Sequence, residues 1–499
     1  MKNTLTFLLK YLLITMITVI GLSAKWYLNH FGGTKIEEVV FTLRAPLDGM
    51  DKNFATSFQN SVVWPAIMII ITSILIIEFF PKVMLSKKSK NAKSLTLKVD
   101  VLVIFLLLVF SINYGMTMYD DIDLKEYLKN QSVRNTIYEE YYVDPGSVDL
   151  SFPENKPNLI HLFVESIETT FASKEFGGAY DYNLIPNLMD IADHHVSFST
   201  SEKFTGGYIT QSTHFTIGSL VAHTAGIPLS ISIQGNSYSG YGKFLPGAVS
   251  IGDLLEEQGY NQVFSIGSDA KFGGREDYFT YHGGYDIYDY NYAIKHELIP
   301  EDYKVWWGFE DKKLFSFAKD QLLALSKQNE PFNFTILTAD THHIGGYKCE
   351  LCEDEFPDQF SNVIRCSDGQ VKEFIDWIKE QDFYDHTVIV ITSDHNSMDP
   401  DYFSDLPDDY RRAPYNAIIN PQTDYSTSNL KSRTFYTMDW YPTILGAMGV
   451  KIPGERLGLG TNLFSERQTL MEELGAEYLM NELKKNSRYY DDYILFPNE

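Results

Sequence analysis

Cysteine is scarce in this chain. Only three of the 499 residues are cysteines, and all lie in one segment, as Cys349, Cys352 and Cys366. This scarcity excludes the small disulfide-rich scaffolds of secreted proteins. Cys349 and Cys352 form a C-x-x-C pair, but no second pair exists to complete a four-cysteine zinc site. In a domain outside the cytosol we expect a local disulfide among the three, with one thiol left over.

Positive charge is also in short supply. The chain has 41 Lys and Arg against 66 Asp and Glu, which gives a formal net charge of −25. Residues 1–118 hold 12 basic and 6 acidic residues, so residues 119–499 carry a net −31. Such an acidic domain is a poor partner for nucleic acid and is repelled by anionic membrane surfaces. If it handles an anionic lipid headgroup, a metal ion and a few local cations must provide the attraction.

Three long apolar runs occupy the first quarter of the chain, at residues 5–28, 62–80 and 101–118. Each approaches the roughly 20 apolar residues that a membrane-spanning helix needs. The first run alone has a competing interpretation as a signal peptide, with Ser23-Ala24 near a cleavage point. The sequence therefore predicts a membrane domain over residues 1–118 with three transmembrane helices.

Lysines are distributed unequally around these runs. The loop between the second and third runs carries no acid between residues 81 and 98, and it holds Lys82, Lys87, Lys88, Lys90, Lys93 and Lys98. Because cytoplasmic loops are enriched in Lys and Arg, this loop is predicted to be cytoplasmic. Lys2 and Lys10 agree with an inside N-terminus. The loop 29–61 and everything after Tyr119 are then expected outside the membrane.

The remainder begins with a polar, tyrosine-rich stretch at residues 119–157, which we interpret as a juxtamembrane connector. After it, strand-like and helix-like runs alternate. The predicted strands are 158–164, 262–267, 333–339, 387–393 and 415–419, and the predicted helices are 184–194, 214–224, 248–258, 309–327, 368–380 and 436–448. The alternation predicts one α/β domain over residues 158–499, with a mainly parallel sheet flanked by helices.

Two of the strand-like runs end in groups that bind metal ions. The run 387–393 (TVIVITS) is followed by Asp394-His395, and the run 158–164 (NLIHLFV) is followed by Glu165. In open α/β sheets, ligands bind outside the carboxyl ends of the strands, so we expect both acids at one sheet edge. Carboxylate and imidazole ligands suit Mn²⁺, Mg²⁺ or Zn²⁺. The alternative is that Glu165 and Asp394 are solvated acids at strand ends.

A hydroxyl group is also expected near this edge. Thr213 follows a glycine-rich loop and precedes the helix-like run 217–225. A helix N-terminus favours a phosphate, because its N–H groups are unpaired and the helix dipole is positive there. From the spacing alone, Thr213 or Ser212 is better explained as a helix N-cap. Thr216 and Thr210 are the neighbouring alternatives for a nucleophile.

Five motifs carry a resemblance to a known family. They are VESIE at 164–168, Thr213 with Gly226-Ile227-Pro228 thirteen residues on, DTHH at 340–343, SDH at 393–395 and DWYPTILGAMG at 439–449. Together they resemble the sulfatase-like transferases of the alkaline phosphatase superfamily, over roughly residues 155–465. The chain looks most like the phosphoglycerol transferases that act on periplasmic glucans, with lipoteichoic acid synthases as cousins.

The resemblance implies a metal site with a nucleophile in it. In this family one acid, one threonine and an Asp-His pair hold a divalent cation, usually manganese, and the matching positions here are Glu165, Thr213, Asp394 and His395. The family's threonine is also the nucleophile, which coordination to the metal would activate.

Three further residues are assigned to the substrate. His342, behind a strand-like run, matches the family's catalytic acid or base, and His343 is its near alternative. Arg275 lies in a loop that resembles the phosphate-contacting loop of lipoteichoic acid synthases, although Gly273 stands where they carry a tryptophan. An arginine there would clamp a phosphate. The competing interpretations are a strand end without a role for His342 and a surface position for Arg275.

The implied function is transfer of a phosphoglycerol headgroup from phosphatidylglycerol to a hydroxyl of a periplasmic or cell-surface glycan, at the bacterial inner membrane. One alternative is phosphoethanolamine transfer to lipid A or a glycan by the same machinery. Another is a non-catalytic sulfatase-fold protein that binds glycan or lipid. Sulfate ester hydrolysis is disfavoured, because this sequence lacks the C/S-x-P-x-R motif of true sulfatases.

Overall fold

The computed structural model describes residues 2–31, 36, 39–40, 52–84, 90–230, 243–399, 401–407 and 409–497. The chain divides into two compact units. One consists of Met1–Ile36 and Met50–Leu128, and the other of Glu37–Gly49 and Lys129–Glu499.

The first unit is built from long helices. They are α1 (Lys2–Phe31), α3 (Trp64–Met84) and α4 (Lys90–Asp121), with a short helix α2 (Lys52–Phe58) and a π turn (Gln59–Val63) leading into α3. Within them, the segments Phe7–Phe31, Ala55–Pro81 and Ser94–Asp121 are long and apolar enough to cross a membrane. The expectation of three apolar N-terminal helices is confirmed. Ser23-Ala24 lies inside the uninterrupted α1.

Charged side chains from all three long helices meet inside this unit. Lys10 Nζ lies 3.2 Å from Glu78 Oε1 and 3.2 Å from Asp100 Oδ1. Glu78 is near the end of α3 and Asp100 is near the start of α4, so these ion pairs join the helices on the side of the lysine-rich loop. Lys87 and Lys88 of that loop lie outside the described residues.

A six-stranded sheet forms the centre of the second unit. Its strands are β1 (Asn158–Val164), β2 (Asn261–Ile266), β3 (Asp286–Tyr288), β4 (Phe332–Leu337), β5 (Thr387–Ser393) and β6 (Asn416–Ile419). Their order is β3-β2-β4-β1-β5-β6, with β1 to β5 parallel and β6 antiparallel to β5. A separate short hairpin pairs β7 (Arg456–Leu457) with β8 (Gly460–Thr461). The prediction of an α/β domain with a mainly parallel sheet is confirmed.

Helices cover both faces of this sheet. The helix α5 (Leu124–Gln131) lies at the division between the two units in the sequence. The helices of the second unit that follow it are α6 (Ile137–Tyr141), α7 (Pro186–His194), α8 (Thr216–Ala225), α9 (Ile251–Glu257), α10 (Arg275–Tyr281), α11 (Tyr290–Lys295), α12 (Asp311–Leu325), α13 (Gln359–Lys379), α14 (Trp440–Ala447), α15 (Leu470–Leu474) and α16 (Ala476–Leu483). Successive strand residues point to opposite faces. On β1, Ile160 and Leu162 accordingly join one hydrophobic cluster with α7, α12 and α13, whereas Leu159 and Phe163 join two clusters on the other face.

The predicted boundaries agree best for the strands. β1 and β5 coincide with the predicted runs, and the other three predicted strands are within two residues of the observed ones. Among the helices, α13 begins at Gln359, well before the predicted start at residue 368, because the Asp358 side chain accepts the N–H of Ser361 and caps it there. The predicted helix 436–448 divides into a 3-10 turn, Thr437–Asp439, and α14.

The three cysteines lie together beside α13. Cys352 and Cys366 form a disulfide with their Cα atoms 5.0 Å apart. Cys349 is the remaining thiol; it is buried, and its Sγ lies 3.6 Å from that of Cys352. Burial raises the pKa of this thiol. A local disulfide with one thiol left over is therefore what the structure contains.

One buried carboxylate links two helices of the second unit. Asp368 of α13 accepts the N–H of Asn187 at 3.1 Å and of Leu188 at 2.8 Å, in the first turn of α7, and the Asn187 amide at 2.7 Å. The first N–H groups of a helix have no partner within it, so Asp368 satisfies α7 from outside. Burial raises the pKa of Asp368 to about 6.

We expect Asp368→Ala to destabilise the second unit by about 1–3 kcal/mol, because buried donors would lose their acceptor. Asp368→Asn keeps an acceptor oxygen and should cost less. The measurement is thermal unfolding of the detergent-solubilised chain, with Asp190→Ala on the exposed side of α7 as the control. A melting temperature unchanged in Asp368→Ala would contradict the assignment.

Candidate active site

The carboxyl ends of β1 and β5 lie side by side, because the two strands pair in parallel with Val164 opposite Ser393. Glu165 follows β1, and Asp394-His395 follows β5, so this register brings all three side chains to one edge of the sheet. All three are buried. One ligand atom from each lies within 4.8 Å of the others.

Hydrogen bonds fix the Asp-His pair. Asp394 Oδ1 accepts the N–H of Ser166 at 3.0 Å and of His395 at 2.8 Å, whereas the buried Oδ2 has no hydrogen-bond partner. His395 Nδ1 lies 2.8 Å from the Asn396 carbonyl oxygen, so this nitrogen carries the hydrogen. Nε2 lies 3.2 Å from Asp394 Oδ2 and 3.7 Å from Glu165 Oε1. In the neutral imidazole, Nε2 thus turns a lone pair toward two carboxylates.

The chain turns sharply after Glu165. Ser166 has a φ of +56°, a left-handed conformation that costs a residue other than glycine on the order of 1–3 kcal/mol. The turn directs the Ser166 N–H to Asp394, and the Ser166 Oγ donates to Glu165 Oε1 at 2.7 Å. Ser166 therefore orders both acids, a role that its place in the VESIE motif did not indicate.

Glu165 and Asp394 place two carboxyl groups close together in a buried part of the protein. Burial, and secondly the neighbouring Glu165, raise the pKa of Asp394 to about 7. Like charges brought together out of water are costly unless a cation lies between them. The unpartnered Asp394 Oδ2 and the Nε2 of His395, aimed at the acids, therefore fit a bound metal ion. Two carboxylates and an imidazole suit Mn²⁺, Mg²⁺ or Zn²⁺.

Thr216 places its hydroxyl beside the imidazole of this group. It is the first residue of the ten-residue α8, and its Oγ1 lies 3.3 Å from His395 Nε2. One helical turn on, Ser219 Oγ donates to the Asp394 carbonyl oxygen. Residues three apart share a helix face, so the N-terminal turn of α8 lies against the Asp-His pair. Thr216 is half-buried, which leaves part of its surface open to a substrate.

Thr213 has a different set of hydrogen-bond partners. It ends a 3-10 turn, Gln211–Thr213, and its side chain is fully buried. Its Oγ1 accepts the Thr210 N–H at 3.0 Å and lies 3.3 Å from Thr437 Oγ1. Neither Thr213 nor Ser212 caps α8, whose N-cap is Phe215. The structure thus places Thr213 in a network of threonine hydroxyls that precedes the helix.

Arg275 is buried at the start of α10 and is not a surface residue. Gly273 and Gly274, with φ of +67° and +72°, form the left-handed turn that presents it. Its Nη2 donates to the Asp269 carbonyl oxygen at 3.1 Å, whereas its buried Nε has no hydrogen-bond partner. Burial lowers the pKa of the guanidinium to about 10, and Glu165 is the first of the acids that oppose this. An unpaired buried donor close to these acids suits an anionic ligand.

His342 and His343 follow β4, with their rings stacked at 4.5 Å. His342 Nδ1 donates to the His343 carbonyl oxygen at 2.7 Å, which leaves its Nε2 as the proton acceptor. Burial lowers the pKa of His342 to about 4. The hydrogen bond to His343 acts in the opposite direction, and the nearby His395 lowers the pKa further. Burial also lowers the pKa of His343. His342 is therefore neutral at pH 7 and able to accept a proton.

Sequence reasoning missed the residue that holds this loop. Asp311, at the start of α12, accepts the N–H of Ala339 at 2.8 Å and of Asp340 at 3.0 Å, just before His342. In the sequence, an acid in the first turn of a helix has an ordinary explanation, so no signal distinguished it. Asp340 itself is buried with neither oxygen hydrogen-bonded, and burial raises its pKa to about 9.

A family model described as Sulfatase matches residues 157–450, which is more than half of the chain. The chain belongs to the sulfatase family. Every residue of the site described above lies inside the part that matches the sulfatase model.

Among curated proteins, this sulfatase-family chain is similar to phosphoglycerol transferase I of Escherichia coli. The identity is 28% over 369 residues, which covers 72% of this chain and 45% of that protein. The chain thus spans about half the length of the curated relatives it matches.

Two solved structures are also similar to this chain. The lipoteichoic acid synthase LtaP from Listeria monocytogenes is 19% identical, covering 64% of this chain and 79% of that one, with a TM-score of 0.48. The lipooligosaccharide phosphoethanolamine transferase A from Neisseria meningitidis is 12% identical, covering 88% and 84%, with a TM-score of 0.49.

We expect Glu165→Gln and Asp394→Asn each to weaken divalent metal binding by about tenfold or more, because each removes a charged ligand. The measurement is metal content of the purified chain, together with a Mn²⁺ titration. Glu175→Gln, an exposed acid, is the control and should bind as the parent does. Full metal occupancy in both site variants would show that the cation, if any, is held elsewhere.

Proposed function

We propose that this chain transfers a phosphoglycerol headgroup from phosphatidylglycerol to a hydroxyl of a glycan, through a phospho-threonine intermediate. One observation carries the proposal. A threonine hydroxyl at a helix N-terminus lies 3.3 Å from the histidine of a buried Glu-Asp-His group that is suited to a metal ion. Its similarity to a protein named phosphoglycerol transferase I supports the choice of headgroup.

The site contains more polar groups than a purely structural role requires. Asp394 Oδ2 and Arg275 Nε are buried and without hydrogen-bond partners, although buried polar groups are ordinarily paired. One is a negative acceptor, and the other is a positive donor. A cation and a phosphate group would satisfy both, which favours catalysis over a non-catalytic binding protein.

Glu165, Asp394, His395 and Thr216 are the residues that would hold the cation, and Mn²⁺ is the ion we propose, with Mg²⁺ or Zn²⁺ as alternatives. When bound, a divalent cation would activate the threonine hydroxyl and neutralise charge on the phosphoryl oxygens. Arg275 would donate its free Nε to a phosphate oxygen. The chain's acidic surface makes these local cations necessary.

We propose Thr216 as the nucleophile in preference to Thr213, which the sequence favoured. Thr216 contacts the Asp-His pair, is partly exposed and lies where the helix dipole favours negative charge. Its Oγ1 attacks the phosphorus, the bond from phosphorus to the diacylglycerol oxygen breaks, and that oxygen takes up the hydroxyl proton. Phosphoglycerol then remains on Thr216.

The second step regenerates the threonine. A glycan hydroxyl attacks the phosphorus of the intermediate, and the bond to Thr216 Oγ1 breaks. His342, neutral at pH 7, accepts the proton of the attacking hydroxyl and then passes a proton to the departing Thr216 Oγ1, so both the threonine hydroxyl and the neutral imidazole are restored. His343 stacks on it and is proposed to contact the substrate.

We further propose that residues 1–118 anchor the enzyme in the bacterial inner membrane and that residues 158–499 form a catalytic domain outside the cytoplasm. Residues 119–157 would connect the two. The lysine-rich loop between α3 and α4 supports this orientation, since positive loops stay inside. A phospholipid donor and an envelope glycan would both be present on that side.

The covalent step predicts that Thr216 becomes labelled. Detergent-solubilised enzyme is incubated with headgroup-labelled phosphatidylglycerol and no acceptor, and the adduct is located by peptide mass spectrometry. Parent and Thr213→Ala should both retain label, whereas Thr216→Ala should retain none, because it lacks the attacking oxygen.

Each other outcome has a defined meaning. Label lost in Thr213→Ala and kept in Thr216→Ala would make Thr213 the nucleophile. Phosphatidylethanolamine is tested in parallel. If the enzyme is labelled only by that lipid, phosphatidylethanolamine is the donor and phosphatidylglycerol is not. No label and no diacylglycerol release from either lipid would favour the non-catalytic alternative.

The role of His342 predicts a loss of turnover without a loss of metal. We expect His342→Ala to slow transfer to the acceptor by ~10²–10⁴-fold, the typical contribution of a general acid or base. The measurement pairs metal content with the single-turnover rate of the labelled intermediate, and His343→Ala is the neighbouring comparison. A variant that loses its cation would make His342 a ligand, and one that reacts at the parent rate would leave it without a catalytic role.

A further inference from the structure

Two adjacent tryptophans form the tip of a tight turn beside the site. Val305 and Gly308 exchange two backbone hydrogen bonds, at 2.8 and 2.9 Å, which leaves Trp306 and Trp307 as the two-residue tip. Trp306 has a φ of +50°. Glycine and asparagine are the usual residues at such positions, and a bulky side chain there is an outlier. Backbone strain from a positive φ is found most often at functional sites.

The turn is fixed to the edge of the sheet that carries the site. The Phe309 N–H donates to the Gly267 carbonyl oxygen, just after β2, at 2.9 Å. Gly308 packs so closely that an added Cβ would lie 2.0 Å from the same oxygen. Gly267 immediately precedes Ser268 and Asp269, which accept hydrogen bonds from the Arg275 guanidinium. The turn therefore has a fixed position relative to Arg275.

One of the two indole rings reaches His342, and the other contacts the loop after β4. The Trp307 ring lies 5.0 Å from that of His342 and 5.5 Å from that of Phe272. Trp306 Nε1 donates to the Ala339 carbonyl oxygen at 3.2 Å, and its ring stacks toward Tyr347 at 6.4 Å. These contacts hold both rings in defined orientations.

These aromatic side chains are not part of the hydrophobic core. Trp306, Trp307, Phe272 and Tyr347 are half-buried and belong to none of the three hydrophobic clusters of the second unit. Trp440, by contrast, is 3% exposed and lies within one of them. Core packing therefore does not explain the strained turn, and the rings keep surface available for a ligand.

We propose that the Trp306–Trp307 turn is the platform on which a sugar ring of the acceptor glycan stacks. This inference rests on the proposed transferase function. A half-exposed indole offers a flat apolar surface with a polar edge, which matches the C–H face of a pyranose. A sugar on Trp307 would bring hydroxyl groups close to His342, the base of the second step.

Charge favours a neutral sugar over the anionic donor at this platform. The domain from residue 119 onward carries a net −31, and Arg275 and the metal ligands already account for the phosphate. Aromatic rings immediately beside His342 and Arg275 also form a mixed polar surface, unlike the continuous apolar groove that acyl chains require. The rigid turn would lower the entropy cost of binding a flexible glycan.

The test separates acceptor binding from donor chemistry. The probe is a neutral gluco-oligosaccharide, used with the full-length enzyme and labelled phosphatidylglycerol. Trp307→Ala should raise the KM for the oligosaccharide at least tenfold, Trp307→Phe should raise it less, and both should still form the labelled threonine. Tyr425→Ala, an exposed aromatic in a loop, is the control.

Trp306→Asn adds a readout that a structural role would not give. Asparagine tolerates a positive φ, so the melting temperature should be equal to or above that of the parent while the KM for the oligosaccharide rises. A lower melting temperature with an unchanged KM would make the turn structural and overturn the proposal. If a tryptophan variant lost both labelling by the donor lipid and transfer to the oligosaccharide, the turn would bind the lipid. That result would also overturn the proposal.

Failure of the proposed function can be distinguished from failure of the platform. Oligosaccharide binding is measured directly, by saturation-transfer NMR, on full-length Thr216→Ala with and without Trp307→Ala. Binding that Trp307→Ala abolishes supports the platform even if no labelled intermediate ever forms. Equal binding by both proteins, or none by either, contradicts it.

Discussion

The site depends on one buried carboxylate, that of Asp394, in which one oxygen accepts hydrogen bonds and the other accepts none. Asp394 Oδ1 is held by the N–H groups of Ser166 and His395, whereas Oδ2 has no hydrogen-bond donor and lies 3.2 Å from His395 Nε2. The pairing of β1 with β5 places Glu165 beside it, so negative charge accumulates where water is excluded. Such an arrangement is stable only with a proton or a cation between the acids. A metal ion is the explanation that also accounts for the neighbouring threonine.

The other functional groups are arranged around this carboxylate by separate elements. The first turn of α8 brings Thr216, the left-handed turn before α10 brings Arg275, and the loop after β4 brings His342. Backbone carbonyl groups hold Arg275 and His342, the His395 side chain contacts Thr216, and the parallel sheet supplies the common edge at which they meet. The Trp306–Trp307 turn is fixed to the same edge through Gly267. In the function proposed above, the charged groups would bind a phosphate and the aromatic surface would bind an uncharged partner.

The residues at strand ends could be predicted from the sequence more fully than those at helix starts. β1 and β5 were predicted to the residue because continuous apolar runs mark buried strands, and Glu165 and Asp394-His395 follow them directly. The family resemblance pointed to Thr213, with Thr216 as an alternative. The sequence could not correct that choice, because α8 has no side-chain cap to mark its start and packing against the Asp-His pair decides where it begins. The role proposed for Trp306 and Trp307 could not be predicted from the sequence, since aromatic residues are usually core residues. Their position outside the core is a property of tertiary structure alone.

The most direct test of this account is the position of the cation relative to the two threonines. A crystal structure of the enzyme soaked in Mn²⁺, with anomalous scattering recorded for manganese, would measure it. The account predicts one strong anomalous peak among the side chains of Glu165, Asp394 and His395, with Thr216 as the nearest threonine. A peak next to Thr213, or density for these three side chains with no peak among them, would contradict it.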